Sequence, residues 1–223
     1  MTREIKKCDG LLSTVVLLAA ACFLLQCVHL PDRRSPDYPD LRPGMKHFLL
    51  LPPEINLFQE LPGGKLLWQA DDSRKAREST GKALSALMQA HALDVRTAGA
   101  DDPHRSERME VQALFRNVNR SIQLHTYGPQ IFKTKLDRFD YSLGPVAALL
   151  AKTRSDALVC VAGHQTLSAR NPKAWLSIAV VEPTGRIVWY GMQGGRTEVS
   201  LQTPDGVSDL VGQALRPFLE AGS

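Results

Sequence analysis

The sequence predicts an α/β domain in which helices flank a mixed sheet, with a carboxy-terminal antiparallel meander and a final helix. Two observations lead to this prediction. In the first part of the chain, strand-like apolar runs alternate with helical periodicity, which is typical of strands joined by helices. In the last part, three strand-like runs follow one another through short connections, and a helical segment comes after them.

The first strand is predicted at Lys46–Leu51, an apolar run that stops at Pro52-Pro53. An uninterrupted apolar run is typical of a strand that is buried on both faces. Next, Ile55–Leu61 and Lys65–Trp68 flank the turn residues Pro62-Gly63-Gly64, which favours a hairpin. The remaining strands are predicted at further short apolar runs, namely Leu93–Thr97, Ala157–Gly163, Trp175–Val181 and Ile187–Gly191.

Helices are predicted where apolar residues recur every three or four positions after a capping or acidic residue. These segments are Asp71–His91, Ser106–Ile122, Val146–Arg154 and Ser208–Leu219. In the last of them, Pro217 is expected to disturb the final turn, because proline has no backbone N–H to donate. The segment Thr126–Tyr141 shows no period, and it is predicted to be irregular.

The amino-terminal segment has the layout of a secretory signal. Arg3, Lys6 and Lys7 precede Leu11–Leu25, an apolar run without charge. A positive segment followed by an apolar run directs a chain to the export machinery. The positive residues are expected to stay in the cytoplasm, so the chain after the apolar run is predicted to lie on the far side of the membrane.

Small residues precede a cysteine at Ala19-Ala20-Ala21-Cys22. This arrangement resembles the bacterial lipobox, in which the cysteine thiol receives a diacylglyceryl group. Residues 1–21 are therefore expected to form a lipoprotein signal peptide, with Cys22 as the lipidated residue that carries palmitate. Two alternatives stay open. Cys27 is a second candidate for lipidation, and Leu11–Leu30, at about 30 Å as a helix, is long enough to be an uncleaved anchor.

The segment Pro31–Pro43 contains four prolines and few aliphatic residues, so it is predicted to be an extended spacer. Residues 22–44 are therefore expected to tether a periplasmic domain of residues 45–223. Phe23 follows the candidate lipidated cysteine and is not acidic. By resemblance to lipoprotein sorting rules, it favours the outer membrane of the cell envelope.

Composition excludes several classes of protein. The 223 residues are 43% hydrophobic and 22% charged, which excludes global disorder and a multi-span membrane protein. Four cysteines are too few for a disulfide scaffold. The net charge of +4 is diffuse, so no nucleic-acid partner is expected. The sequence contains no phosphate-binding loop, dinucleotide-binding glycines, zinc-protease motif or serine elbow, so no cofactor, metal or catalytic site is predicted.

His164 and Cys160 are candidates for chemistry, and one basic group is a candidate for binding. His164 follows a predicted strand, and with Asp137 or Asp140 it defines the alternative function, a membrane-anchored periplasmic hydrolase. Cys160 lies inside an apolar strand and is predicted to be a buried hydrophobic residue. The densest basic group is interpreted as a solvated face, with contact to anionic lipid or to an acidic partner as the alternative: Lys133, Lys135 and Arg138.

The meander also carries a family resemblance. A strand ending in Val159–Gly163 is followed by Trp175–Val181 and by the turn Thr184-Gly185-Arg186-Ile187. This order resembles periplasmic lipoproteins related to CsgG and to the TolB amino-terminal domain. The phrases LLLPPEINL and DYSLGP resemble those of a group of proteobacterial lipoproteins. The resemblance implies a TolB-like α/β fold and a non-catalytic binding or assembly module, with an envelope protein partner or self-association.

Overall fold

Eight strands form one mixed sheet, and helices pack on both of its faces. The computed structural model describes residues 30–99, 104–129, 131–168, 173–196 and 200–221. The predicted fold class is confirmed, including the antiparallel meander and the final helix. No helix in these ranges is long and apolar enough to cross a bilayer.

The strands are β1 (Arg33–Arg34), β2 (His47–Leu50), β3 (Glu54–Glu60), β4 (Leu66–Trp68), β5 (Asp94–Thr97), β6 (Ala157–Leu167), β7 (Lys173–Val181) and β8 (Ile187–Arg196). The helices are α1 (Tyr38–Leu41), α2 (Ala70–Ala90), α3 (Arg105–Ile122), α4 (Lys133–Asp137), α5 (Ala147–Thr153) and α6 (Pro204–Glu220). A 3₁₀ turn at Arg42–Gly44 follows α1, and a π-helical turn at Gln123–Tyr127 continues α3.

Strand β6 is the centre of the sheet. Along one edge it pairs antiparallel with β7, which in turn pairs with β8, and β8 pairs with β1. Along its other edge it pairs in parallel with two shorter strands that lie end to end, β2 and then β3. Pro52-Pro53 separates these two strands. The outer neighbours differ: β5 pairs with β2, and β4 pairs with β3.

The central strands are buried on both faces. In β2, Phe48 and Leu50 join the core under α2 and α6, whereas Leu49, and Leu51 just after the strand, join the core under α3 and α5. Strand β6 divides its side chains in the same way. This two-sided burial explains why these strands are continuous apolar runs in the sequence, as predicted.

The meander strands are longer than predicted. Strand β6 continues to Leu167, β7 begins at Lys173, and β8 continues to Arg196. The additional residues are mostly polar or glycine, with Leu167, Ala174 and Met192 standing singly among them, so they carry no apolar run. Backbone pairing extends these strands instead: Thr166 lies opposite Lys173, and Lys173 lies opposite Arg196.

Part of the predicted spacer belongs to the domain. Strand β1 pairs with β8, and the side chain of Tyr38 is only 2% exposed and packs against the Phe218 ring. The Arg42 guanidinium is also buried; its Nε donates to the Phe218 carbonyl at 3.3 Å, and its charge lies over the Phe218 ring. The segment from Asp32 to Gly44 is therefore not an extended linker, because it closes one edge of the sheet.

Helix α6 and the segment predicted to be irregular also differ from prediction. Helix α6 begins at Pro204 and not at Ser208, because the hydroxyl of Thr203 accepts a hydrogen bond from the Gly206 N–H at 3.2 Å. A capping threonine followed by proline is a strong start signal. Pro217 lies inside α6 without ending it, since the helix continues to Glu220. The segment predicted to be irregular also contains the short helix α4.

A buried polar cluster joins α3 to the sheet. The Asn119 side-chain carbonyl accepts hydrogen bonds from the Ser177 hydroxyl at 2.9 Å and the Tyr190 hydroxyl at 2.7 Å. All three residues are buried, so each polar atom needs a protein partner. Burial also raises the pKa of Tyr190, which keeps its hydroxyl protonated as a donor.

The variant Asn119→Ala is expected to lower the free energy of unfolding by about 2–3 kcal/mol, because it leaves the buried Tyr190 hydroxyl without its best acceptor. Asn117→Ala is the matched control, since Asn117 lies exposed on the same helix and should cost less than about 0.5 kcal/mol. Urea denaturation of both variants tests this; equal costs would mean that the cluster does not stabilise the fold.

Candidate functional site

The hairpin of β3 and β4 carries the most exposed apolar strand of the described sheet. Gly63 and Gly64 form its turn with φ of 85° and 79°, a region that side chains other than glycine rarely occupy. All three residues of β4 are large and apolar, yet Leu66, Leu67 and Trp68 are 47%, 50% and 51% exposed. An exposed apolar strand at the edge of a sheet is a surface for pairing with another chain.

The outer edge of β4 presents free backbone groups. Gln69 N donates to Leu57 O at 2.9 Å, and Leu61 N donates to Lys65 O at 2.8 Å. Hydrogen-bonded and non-bonded positions alternate along an antiparallel pair. By this alternation, the N–H and C=O groups of Leu66 and Trp68 point away from β3. Among the described strands, β4 pairs only with β3, so these groups are available to a partner strand.

A row of aromatic side chains continues from this edge across the sheet. Trp68 lies opposite Phe58 in the β3–β4 pair. The Phe58 ring packs on His164 with centroids 5.1 Å apart, and His164 stacks on Trp175 at 6.2 Å with an interplanar angle of 16°. We call these four residues the aromatic row. It runs from the β3–β4 hairpin across β6 to β7 and lies behind the β4 edge.

The sequence marked His164 as a possible base, but its surroundings favour a packing role. Its side chain is half-buried between two aromatic rings, and its Nε2 lies 3.1 Å from the Thr166 hydroxyl. Burial lowers the pKa of His164, because the charged imidazolium loses solvation. At neutral pH the ring is therefore uncharged, as stacking between apolar rings requires.

The alternative pairing of His164 with Asp137 or Asp140 is not formed. Neither carboxylate contacts His164, and Asp140 instead binds the Lys135 ammonium at 2.6 Å, which lowers the pKa of that carboxyl. The two regions lie at opposite ends of the meander. Near the two aspartates, Ser142 pairs with Arg186 just before β8, whereas His164 lies opposite Trp175, which lies opposite Gly194 near the other end of β8. Arg186 and Gly194 are eight residues apart, which is about 26 Å along an extended strand.

Next to β4, the outer edge of the sheet is open and forms a polar cleft. The cleft of about 460 Å³ is lined by Pro52, Pro53, Glu54, Asn56, Arg77, Gln112 and Arg116. It lies beyond the carboxyl end of β2, where Pro52-Pro53 lead into β3; the carboxyl ends of strands are where open α/β sheets bind ligands. The sequence analysis missed this cleft, because its residues come from β3, α2 and α3 and share no motif.

The polar groups of the cleft bind one another. Arg116 holds Glu54 through two hydrogen bonds of 2.9 and 3.1 Å, and this pairing raises the pKa of Arg116. Gln112 Nε2 donates to the Pro52 carbonyl at 2.8 Å, and Arg77 Nε donates to the Ile55 carbonyl at 3.1 Å. Gln112 and Arg77 therefore donate hydrogen bonds to backbone carbonyls that no neighbouring strand pairs with. They stabilise the open edge, and the cleft contains no nucleophile beside a base.

The other candidate residues fall into two groups. Cys160 is buried in β6, and burial raises the pKa of its thiol, so the residue is a core hydrophobe as predicted. Cys22 and Cys27, the candidate lipidation sites, lie outside the described residues. Within the described ranges, no three His, Cys, Asp or Glu residues converge as a metal site.

No family model matches the sequence, and no curated protein matches it. Solved structures give distant likenesses. PelC from Paraburkholderia phytofirmans, a dodecamer, has a TM-score of 0.40 and 12% identity, over 84% of this chain and 94% of that one. Lipoprotein GNA1162 from Neisseria meningitidis has a TM-score of 0.32 and 12% identity, over 68% and 81%. The LpoB C-terminal domain from Salmonella enterica has a TM-score of 0.29 and 11% identity, over 72% of this chain and 96% of that one.

These TM-scores are all below 0.5, so they place the chain in no family. One of the similar structures is a lipoprotein by its name. The more specific resemblance to CsgG and the TolB amino-terminal domain stays a prediction.

The role of His164 predicts a pH dependence of stability. Its pKa is lowered in the folded state, so the unfolded chain binds more protons once the pH falls below about 6.5. Wild type should therefore lose stability from that pH down to the folded-state pKa, whereas His164→Phe keeps the stacked ring without titrating. Urea denaturation at neutral and mildly acidic pH measures the free energy of unfolding of both proteins. If both lost the same amount of stability on acidification, folding would not lower the pKa of His164.

Proposed function

We propose that the chain is an envelope lipoprotein, anchored through Cys22, whose periplasmic domain is a non-catalytic binding module. Its binding site is the free edge of β4, backed by the aromatic row. The partner is an extended, apolar segment of another envelope protein, which adds a strand to the sheet. The observation that carries this proposal is the outward N–H and C=O groups of Leu66 and Trp68, together with their exposed side chains.

The anchor is supported by the amino-terminal sequence. Arg3, Lys6 and Lys7 before the apolar run favour export, and three alanines before Cys22 suit the lipoprotein signal peptidase. Stable membrane attachment needs more than one acyl chain, which a diacylated cysteine provides. Phe23 after that cysteine favours the outer membrane, with the domain facing the periplasm.

The identity of the partner follows from what the edge requires. The unpaired N–H and C=O groups of β4 need complementary backbone groups, which an extended polypeptide supplies. The side chains of Leu66 and Trp68 lie on one face of the strand and Leu67 on the other, and all three are about half exposed. A partner strand must therefore be apolar on both faces to cover them. No chemical step at the edge is implied by these contacts.

Metabolic labelling with palmitate tests the anchor. Wild type is expected to incorporate the label. Cys22→Ala is expected not to incorporate it, because the variant lacks the thiol that accepts the lipid. Cys27→Ala is the control and should label like wild type. Labelling that persists in Cys22→Ala and disappears in Cys27→Ala would move the anchor to Cys27; equal labelling of all three proteins would contradict lipidation at either cysteine.

Photo-crosslinking tests the edge. A photoreactive residue at the exposed position Lys65 is expected to give one discrete product with an envelope protein in intact cells. Leu66→Pro removes an N–H that points to the partner without removing a bond to β3, and it should lower the yield by about tenfold. Leu66→Val is the matched control, because it keeps both the N–H and an apolar side chain.

The products of this experiment separate the alternatives. Equal yields from Leu66→Pro and Leu66→Val would contradict strand addition at β4. A product that contains only two copies of this chain would replace the envelope partner with self-association along the same edge. The yield is measured with each variant expressed as the full chain at equal abundance.

A further inference from the structure

Three exposed apolar side chains lie far from the β4 edge, around the end of α3. Leu124, Ile131 and Phe132 are 37%, 56% and 51% exposed. Phe132 is held against the turn after α3: its N–H donates to the His125 carbonyl at 3.0 Å, and its ring packs edge-on against His125 with centroids 4.7 Å apart. We call these three residues the anchor-proximal patch.

The patch adjoins the point where the amino-terminal segment enters the domain. The Tyr127 hydroxyl donates to the Pro31 carbonyl at 2.7 Å. Arg33 lies with its guanidinium 4.6 Å from the Tyr127 ring centroid and donates to the Thr126 carbonyl at 2.7 Å. The start of the described chain is therefore fixed beside the patch by three contacts, all of them to the π-helical turn that follows α3.

The free tether is short. The segment from Asp32 onward packs on the domain, so at most nine residue steps connect Cys22 to Pro31, a reach of about 30 Å when fully extended. For an uncleaved anchor that ends at Leu30, the reach is almost nil. Under either form of the anchor, this end of the domain is held near the membrane surface.

The charges around the patch suit an anionic surface. Lys133 begins helix α4 and Arg138 follows its end; both are exposed. Neither forms an ion pair within 4 Å in the described ranges, although the hydrogen bond from Lys135 and, to a smaller extent, the charge of Arg138 lower the pKa of the Asp140 carboxyl. Lys135 is paired with Asp140. Apolar side chains beside exposed basic residues are the composition of segments that lie in the headgroup region of a membrane.

We propose that the anchor-proximal patch lies in the interfacial layer of the membrane that holds the amino terminus. Leu124, Ile131 and Phe132 enter the acyl boundary, while Lys133 and Arg138 contact anionic headgroups. This proposal rests on the proposed membrane anchor. It gives the domain a fixed orientation on the bilayer, with the end of α3 against the lipid.

The test uses the full chain in vesicles of phosphatidylethanolamine and phosphatidylglycerol, prepared with and without brominated acyl chains. Phe132→Trp places an indole in the patch. The matched control is Met109→Trp. Met109 is 57% exposed near the start of α3, and about 22 Å along the helix axis separate it from Leu124. Fluorescence is compared with wild type, so that the native tryptophans cancel.

Brominated lipid is expected to quench the indole of Phe132→Trp about twofold more strongly than that of Met109→Trp. Adding Lys133→Glu and Arg138→Glu to Phe132→Trp should reduce this difference, because the charge attraction is reversed. Vesicle flotation reports the anchor separately. Flotation with equal quenching of the two tryptophan variants would overturn the patch and leave the anchor standing, whereas failure to float would overturn both.

A further control excludes covering by the chain itself. Iodide in the aqueous phase should quench the indole fluorescence of Phe132→Trp when the chain is free in solution without detergent. It should not quench that fluorescence when the chain is bound to vesicles. Shielding from iodide without quenching by brominated lipid would mean that amino-terminal residues cover the patch, and it would overturn the membrane contact.

Discussion

The fold depends on one strand that is paired along both edges and buried on both faces. Strand β6 supplies the register for β7 on one side and for β2 and β3 on the other. Its alternating side chains also form the centre of both cores, so α2 and α6 on one face and α3 on the other are positioned from it. A polar residue in the middle of β6 would have no solvated side to occupy, which is why Ala157–Ala162 contains none.

The sheet ends differently on its two sides. On the β8 side, the chain covers its own edge with β1, and the buried Tyr38 and Arg42 hold this segment in place. On the β3 side, side chains from α2 and α3 cover part of the edge, and β4 leaves the rest open. Strand β5 also pairs along one edge only among the described strands, but its exposed residues Asp94, Arg96 and Thr97 are polar. Since sheet edges are usually protected, the open and apolar edge of β4 suggests that it has a use.

Local patterns in the sequence were sufficient for most of the architecture. The run Phe48–Leu51 and the stripe through Phe115 and Ile122 report burial directly, and Pro62-Gly63-Gly64 marks the hairpin turn. The docking of Tyr38 was not predictable, because prolines and charges around it mimic a solvated linker.

The binding edge and the cleft were harder to foresee. The aromatic row joins Phe58, His164 and Trp175, which are far apart in the chain and meet only through strand register. The sequence offers His164 only as a candidate for a chemical role, since an isolated histidine carries no sign of its neighbours. The Arg116–Glu54 pair spans two elements whose relative placement only the tertiary fold defines.

The hairpin differs from the rest of the sheet in how it is held. The three residues of β4 contribute no buried side chain, so its attachment rests on a few backbone hydrogen bonds to β3. Such a segment opens at a small fraction of the cost of global unfolding, and its amide protons exchange with solvent well before those of β6. A partner strand that pairs with β4 would protect those amides, so the hairpin gains order where it binds while the core is unchanged.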